Sequence, residues 1–191
     1  EGVISVVKHF PGHGDTAVDS HIGLPIVDKS LEQLQQFEFI PFAEAIKNNA
    51  DVVMIAHILL KQIDPENPAS FSKTLITDIL RNQLNFQGVV ITDDLTMGAI
   101  VENYDIGDAA IQSIAAGSDI ALICHGYENE IKVLDRLKKA VENGIISQER
   151  VNESVYRILN LKKKYGFTDH KIDFVDIHQM NEDIKQVLNG L

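Results

Sequence analysis

The sequence predicts an α/β fold built around a parallel sheet, and two observations support this. Short runs rich in Val and Ile recur along the chain, each about the length of one strand. Between these runs lie longer stretches whose apolar residues follow helical spacing. A strand that is apolar on both faces needs cover on both faces, so the runs indicate parallel strands with helices packed against them.

The first third of the chain predicts one strand, one loop and two helices. Gly2–Val7 is rich in β-branched residues and predicts a buried strand. His9–Leu24 contains one proline and three glycines and predicts a long loop. Ser30 with Gln33 forms a capping-box pattern at the start of a helix, and a second helical piece is expected over Pro41–Asn48.

The middle of the chain repeats this order of strand, loop and helix. Asp51–Ala56 predicts a second strand and Lys61–Ser70 a loop with two prolines. An apolar stripe from Leu75 to Leu84 predicts a helix. Gly88–Thr92 predicts a third strand, and Thr96–Asp105 a loop.

The last third predicts a fourth strand between helices. The expected elements are a helix over Asp108–Ala116, a strand over Asp119–Cys124, a helix through Ile131 and Val141, a helix capped by Ser147 that ends at Gly166, and a last helix near Met180–Leu188. We therefore divide the chain into residues 1–166, a partial barrel or sheet domain, and residues 167–191, a C-terminal tail or helix leading to a linker.

About four βα units fit either a doubly wound sheet or a (β/α)₈ barrel. A complete barrel takes about 250 residues and eight strands, and this chain has 191 residues and about half the strands. It opens on Glu1 within an apparent strand, without an initiator Met or a signal-peptide pattern. We therefore expect a fragment, whose localisation, cytoplasmic or secreted, stays unknown.

Composition excludes several kinds of partner. The net charge of −11 argues against nucleic acid or an anionic membrane, which would repel the chain. No apolar run reaches the roughly 18–20 residues that span a bilayer. Cys124 is the only cysteine, so no internal disulfide forms, and its apolar neighbours predict a buried, inert thiol.

The densest polar cluster is the loop after the first predicted strand. It holds one lysine, three histidines and two aspartates, namely Lys8, His9, His13, Asp15, Asp19 and His21. Asp19 lies two residues before His21, so its carboxylate can accept from one imidazole nitrogen and leave the other for acid/base work. Two alternatives are a metal site built on His9, His13 and His21, and a solvated turn without chemistry.

Polar residues also follow the other predicted strands. Asp93 and Asp94 come after Thr92, where a carboxylate can serve as nucleophile, base or metal ligand. We expect function for Asp93 and a cap or turn for Asp94. His57 follows the second strand and either orients substrate or is structural; we place it with the substrate-binding residues. Active sites of both candidate architectures lie at these strand ends.

Two long motifs carry a resemblance to a known family. Lys-His-Phe-Pro-Gly-His-Gly-Asp-Thr at 8–16 is followed by Asp-Ser-His at 19–21, and Ile-Thr-Asp-Asp-Leu-Thr-Met stands at 91–97. Together with Val53–His57 and Pro68–Ser70, they resemble the β-N-acetylglucosaminidases of glycoside hydrolase family 3 over nearly the whole chain. The resemblance implies a TIM-like (β/α)₈ barrel, of which this chain would be the C-terminal half.

The resemblance also implies roles for single residues. Asp93 corresponds to the nucleophile, and His21, with Asp19 as its partner, corresponds to the acid/base. Lys8 and His9 correspond to residues that bind sugar hydroxyls. Family β-glucosidases lack the Asp-Ser-His loop, so its presence favours N-acetylhexosaminides.

The expected activity is that of a bacterial retaining exo-glycosidase. It would remove terminal β-N-acetylglucosamine, from peptidoglycan or muropeptide fragments, without a metal or cofactor. A phosphorylase is the nearest alternative, because a neutral imidazole tolerates phosphate as acceptor; the metal-dependent hydrolase is the other. The partners expected are a small GlcNAc-containing carbohydrate and the missing N-terminal half of the barrel, without which we expect the chain to be inactive.

Overall fold

The computed structural model describes residues 3–16, 18–168 and 176–190 and has a parallel sheet at its centre. Four strands pair in the order β1-β3-β5-β6, and two short strands, β2 and β4, form a second parallel sheet. Their bounds are β1 Val6–Phe10, β2 Ile26–Val27, β3 Val52–Ile55, β4 Leu59–Leu60, β5 Val89–Asp94 and β6 Ile120–Leu122.

Helices follow each strand of the larger sheet. They are α1 Leu31–Gln36, α2 Ile40–Lys47, α3 Gly98–Val101, α4 Ile106–Ala116, α5 Tyr127–Glu142, α6 Gln148–Lys164 and α7 Ile177–Asn189, with a 3₁₀ turn at Ala69–Phe71 and a π-helix at Thr74–Gln83. The parallel order and the βα alternation confirm the predicted α/β fold of about four βα units, as in part of a (β/α)₈ barrel.

The core forms where the strands meet the helices. Val53 of β3 pairs with Val90 of β5, and both side chains are fully buried. Leu75, Ile76 and other apolar residues of the π-helix pack into the same cluster. These are the continuous Val/Ile runs of the sequence, which are buried because helices cover the sheet.

Several predicted boundaries are wrong at the ends of strands. The first strand, expected over Gly2–Val7, runs from Val6 to Phe10, so Lys8 and His9 lie within it and not after it. The pairing register of β1 with β3 shifts between Val7 and Phe10, which makes room for these polar residues in a strand. Similarly, β5 continues through Asp93 and Asp94.

The environment predicted for Cys124 is also wrong. The fourth strand ends at Leu122, two residues earlier than expected, and the Cys124 side chain is exposed. By contrast, two predicted helix starts are confirmed: Ser30 and Gln33 form a reciprocal capping box, and the Ser147 hydroxyl caps α6. The loop predicted over Thr96–Asp105 is wrong, because it contains helix α3, and α4 begins at Ile106, two residues before its predicted start. The last helix is α7, while the division of the chain at residue 166 stays a prediction. Within the described part of the chain, no helix is long and apolar enough to cross a bilayer.

A buried carboxylate at the start of β6 joins three elements at the end of the sheet opposite Asp93. Asp119 Oδ2 accepts from Arg81 Nη2 at 2.6 Å and from the Val90 N–H at 2.9 Å. Its Oδ1 accepts from Arg150 and Arg157 of α6, each at 3.0 Å. Burial raises the pKa of Asp119, but Arg81 and the Val90 N–H outweigh it and hold the pKa below its ordinary value. The network therefore ties α6 and the π-helix to the sheet.

Neutralising Asp119 should destabilise the fold. Asp119→Asn keeps the shape but leaves the buried Arg81 guanidinium without its counter-charge, so we expect a loss of about 3–5 kcal/mol in the free energy of unfolding. Denaturant unfolding of the full-length protein measures this. Asp108→Asn is the matched control, because Asp108 and its partner Arg136 are both about half exposed, and such a pair contributes only about 0–1 kcal/mol.

The pH dependence of stability provides a second check. A carboxyl whose pKa is lowered by folding stabilises the protein above its unfolded pKa, and this contribution is lost as the pH falls through the folded pKa. The acid loss of stability should therefore be smaller in Asp119→Asn than in the wild type. Equal stability of Asp119→Asn and Asp108→Asn would contradict the role given to the network.

Candidate active site

The C-terminal ends of β1 and β5 and the loop after β1 surround one cavity of about 440 Å³. It is lined by Lys8, His9, His13, Gly14, Asp19, Ser20, His21, Asp93 and Met97. Five of the six residues selected from the sequence, all except His57, therefore face a common space.

Asp93 faces this cavity because side chains alternate along β5. Thr92 and Asp94, its neighbours, point to the opposite face and are buried. The Asp93 side chain keeps 16% exposure, and its Oδ1 accepts from the N–H of Asp94 at 2.8 Å. A partly exposed carboxylate fixed on a strand is a suitable nucleophile.

His9 of the neighbouring strand β1 lies beside this carboxylate. Its Nε2 is 3.6 Å from Oδ2 of Asp93. Burial lowers the pKa of His9; Asp93 opposes this, whereas Lys8 and His13 lower the pKa further. The ring is therefore mainly neutral at pH 7 and can offer one N–H to a ligand without carrying a charge.

Asp94 braces the turn that follows β5. Its Oδ1 accepts from the backbone N–H groups of Thr96 at 2.9 Å and of Cys124 at 3.0 Å. Its Oδ2 accepts from the Thr96 hydroxyl at 2.5 Å. Burial raises the pKa of Asp94, but these hydrogen bonds outweigh it, and the pKa lies below its ordinary value. The contacts support the expectation of a turn-forming role for Asp94.

His57, just after the end of β3, is fully buried beneath β5. Its Nε2 donates to the backbone carbonyl of Asp94 at 3.1 Å, so its Nδ1 accepts from the Ser70 hydroxyl, 2.9 Å away. Burial lowers the pKa of His57, which keeps the ring neutral. Both ring nitrogens are thus occupied by protein atoms, which supports the structural alternative rather than contact with the sugar.

Sequence reasoning missed Ser70 and Thr96 as parts of this arrangement. Ser70 lies in a 3₁₀ turn and is fully buried, and its hydroxyl sets the tautomer of His57. Both residues stand inside motifs quoted for the resemblance, but their types alone gave no sign of a partner. Short-range patterns do not reveal a contact across 13 residues such as His57–Ser70.

Asp19 and His21 lie on the exposed part of the loop between β1 and β2. The hydrogen bond between them runs from the backbone N–H of His21 to Oδ1 of Asp19, at 2.9 Å. The expected bond from the imidazole to the carboxylate is not among the contacts of the described residues and stays a prediction. The bond that is present holds the two residues in one tight turn at the mouth of the cavity.

His13, the third histidine of the loop, holds the loop together. Its Nδ1 lies 2.9 Å from the Thr16 hydroxyl, and its Nε2 lies 3.1 Å from the Ser20 hydroxyl. Both ring nitrogens are used, and among the described residues no three His, Cys, Asp or Glu side chains are placed to hold a metal ion. The geometry therefore gives no support to the metal alternative.

Comparison with known proteins places this chain in a family. Residues 1–161 match the family described as "Glycosyl hydrolase family 3 N terminal domain". The chain is 38% identical over 181 residues to β-hexosaminidase A of Pseudoalteromonas piscicida. The matched region covers 85% of this chain and 30% of that protein.

Two solved structures extend the comparison. A family 3 β-N-acetylglucosaminidase from Paenibacillus sp. is 44% identical with a TM-score of 0.89, covering 92% of this chain and 34% of that one. A β-glucoside phosphorylase bound to 2FGlc is 27% identical with a TM-score of 0.82, covering 94% and 33%.

The chain spans only part of its relatives. It covers 30%, 44% and 42% of the lengths of three curated β-hexosaminidases. The family match nevertheless includes every residue that lines the cavity. The chain belongs to glycoside hydrolase family 3, within its N-terminal domain.

Proposed function

We propose that the protein carrying this chain is a retaining β-N-acetylhexosaminidase with Asp93 as nucleophile and His21 as acid/base. The observation that carries the proposal is the cavity at the end of β5, where the Asp93 carboxylate faces the loop with Asp19 and His21. The names of the similar β-hexosaminidases and of the β-N-acetylglucosaminidase support the same activity.

The first chemical step forms a glycosyl-enzyme. An Asp93 oxygen attacks the anomeric carbon as the bond from that carbon to the leaving oxygen breaks. The imidazolium of His21 gives its proton to the leaving oxygen, so the aglycone departs as an alcohol. Asp93 ends as a glycosyl ester and His21 as a neutral imidazole.

The second step returns the enzyme to its starting state. The neutral imidazole of His21 takes a proton from water, whose oxygen attacks the anomeric carbon and displaces the Asp93 carboxylate. Two inversions leave the sugar with its original β configuration. In this scheme Asp19 stabilises the imidazolium, and Lys8 and His9 hold sugar hydroxyls.

The substrate proposed is a terminal β-linked N-acetylglucosamine of a peptidoglycan or muropeptide fragment. The Asp-Ser-His sequence at 19–21 supports an N-acetylhexosaminide over a glucoside as substrate. The family resemblance implies this, since the β-glucosidases of family 3 lack that sequence. The family resemblance implies peptidoglycan-derived fragments as substrate, and the similar β-hexosaminidases come from bacteria.

A phosphorylase is the second candidate, and a specific observation favours it. One similar structure is described as a β-glucoside phosphorylase. An imidazole that is neutral after the first step does not repel an incoming phosphate as a carboxylate would. In that case phosphate replaces water in the second step, and the product is a sugar 1-phosphate.

Asp93→Asn in the full-length protein should abolish turnover of an aryl β-N-acetylglucosaminide. The amide cannot form the ester intermediate, so we expect a loss of at least about 10⁴-fold in kcat/KM. An activated fluoro-sugar should add one glycosyl group to the wild type, on the peptide that contains Asp93, as measured by mass spectrometry. Labelling of another residue would overturn the assignment.

Running the assay with and without phosphate, with product identification, separates hydrolase from phosphorylase.

Asp19→Ala should impair the acid more than the nucleophile. Without the carboxylate the imidazolium is less stable, so kcat/KM should fall by about 10²–10⁴-fold for poor leaving groups. Activated aryl glycosides, which need no proton, should lose far less. The measurement is kcat/KM across aryl β-N-acetylglucosaminides of different leaving-group acidity. Equal losses across the series would mean that His21 is not the general acid.

His57→Phe should lower kcat with little change in KM. The variant loses the bond to the Asp94 carbonyl, so Asp93 shifts, whereas residues that would bind the sugar stay in place. His57→Gln keeps a side-chain N–H and should restore part of the rate. If KM rises while kcat is unchanged, His57 acts on the substrate instead.

A further inference from the structure

We propose that Gly98 is a positioning residue, because its missing side chain lets the loop that carries His21 dock on the helix after the nucleophile strand. The proposal rests on the acid/base role proposed for His21. Gly98 begins α3, five residues after Asp93. The proposal extends the site to a residue that would touch neither the sugar nor the leaving group.

The contact at Gly98 leaves no room for a side chain. A Cβ built on Gly98 would lie 2.6 Å from the backbone oxygen of His21 and 3.1 Å from that of Ile22. The opposing atoms are backbone atoms of the loop, which cannot swing away as a flexible side chain would. An alanine at this position must therefore move the loop or the helix by several tenths of an ångström.

A hydrogen bond fixes the docked position of the loop. The N–H of Ala99, the next residue of α3, donates to the backbone carbonyl of Ser20 at 3.1 Å. Ser20 is buried, with 6% of its surface exposed. The residue directly before His21 is therefore held against α3, while His21 itself faces the cavity mouth.

The loop is internally braced, so displacement at Gly98 is passed on to His21. The His13 ring links Thr16 to Ser20 through its two nitrogens. The carbonyl of Asp19 accepts from the N–H groups of Ile22 and Gly23, at 2.9 and 3.1 Å. These bonds close a tight turn that contains His21, so a shift of the turn moves the His21 backbone with it.

A second turn, from Asp94 to Met97, connects Gly98 to the proposed nucleophile. The Asp94 carbonyl accepts from the N–H of Met97 at 3.1 Å as well as from His57. Met97 is buried and lines the cavity next to Asp93. Nucleophile and acid/base loop are thus both held relative to one short, braced segment, which sets their separation across the cavity.

The expected signature is selective loss of proton donation. In Gly98→Ala the nucleophile stays on β5, while His21 is displaced from the leaving oxygen. Misplacement of a catalytic group on the order of 1 Å can cost about 10²-fold in rate. A shift of several tenths of an ångström should cost less, so we expect kcat/KM to fall by roughly 10-fold for aryl β-N-acetylglucosaminides with poor leaving groups, and to change little for strongly activated ones.

The test compares Gly98→Ala with Gly23→Ala in the full-length protein. Gly23 lies in the same loop, but a Cβ there would meet only a Val18 methyl at 3.8 Å, an ordinary contact. Gly23→Ala should keep the leaving-group dependence of the wild type. A steeper dependence of kcat/KM on leaving-group acidity in Gly98→Ala alone supports the proposal. If the slope for Gly98→Ala equals that of the wild type, whether or not all its rates are lower, the proposal is overturned.

Two further measurements keep the outcome interpretable. If Gly98→Ala does not fold, Ser20→Ala removes the hydroxyl that His13 holds and should steepen the same dependence by a smaller factor; a parallel line there overturns the proposal. If the wild-type protein hydrolyses no β-N-acetylglucosaminide, the proposed function itself fails. Activity of the wild type with an unaltered slope in both variants contradicts only the positioning role.

Discussion

The alternation of side chains along β5 is the constraint on which the rest of the site depends. Thr92 and Asp94 point into the protein and Asp93 points into the cavity, so two adjacent carboxylates have different surroundings. The Asp94 carboxylate accepts hydrogen bonds from Thr96 and Cys124, and these bonds fix the end of the strand. A shift of register by one residue would exchange the two and bury the proposed nucleophile.

Three separate elements hold this strand end in place. His57 reaches it from β3, the Cys124 N–H reaches it from the end of β6, and α3 follows it and receives the His21 loop. At the other end of the sheet, Asp119 and its arginines serve stability. The carboxyl end of the sheet is thus braced, partly open and carries the proposed active site. The opposite end is buried, and its ion pairs hold the helices to the sheet.

Much of the fold could be predicted from the sequence, because Val/Ile runs and capping residues are local signals. The boundaries could not: the ladder carries β1 on to Phe10 through the polar Lys8 and His9, and β6 ends before Cys124. The two-residue strands β2 and β4 carry no periodicity to detect.

In the site, residue types and motifs selected Asp93, His9 and the His21 loop, which line one cavity in the structure; their catalytic roles stay predictions. The brace around them depends on contacts distant in sequence, such as that of His57 with Ser70. The most direct test of the account is a crystal structure of the full-length protein trapped with a fluorinated N-acetylglucosamine derivative. The account predicts a covalent bond from an Asp93 carboxylate oxygen to the anomeric carbon, with the His21 imidazole beside the same carbon and the loop still docked on Gly98. A sugar bound covalently elsewhere, or held with His21 turned away from it in every molecule, would contradict it.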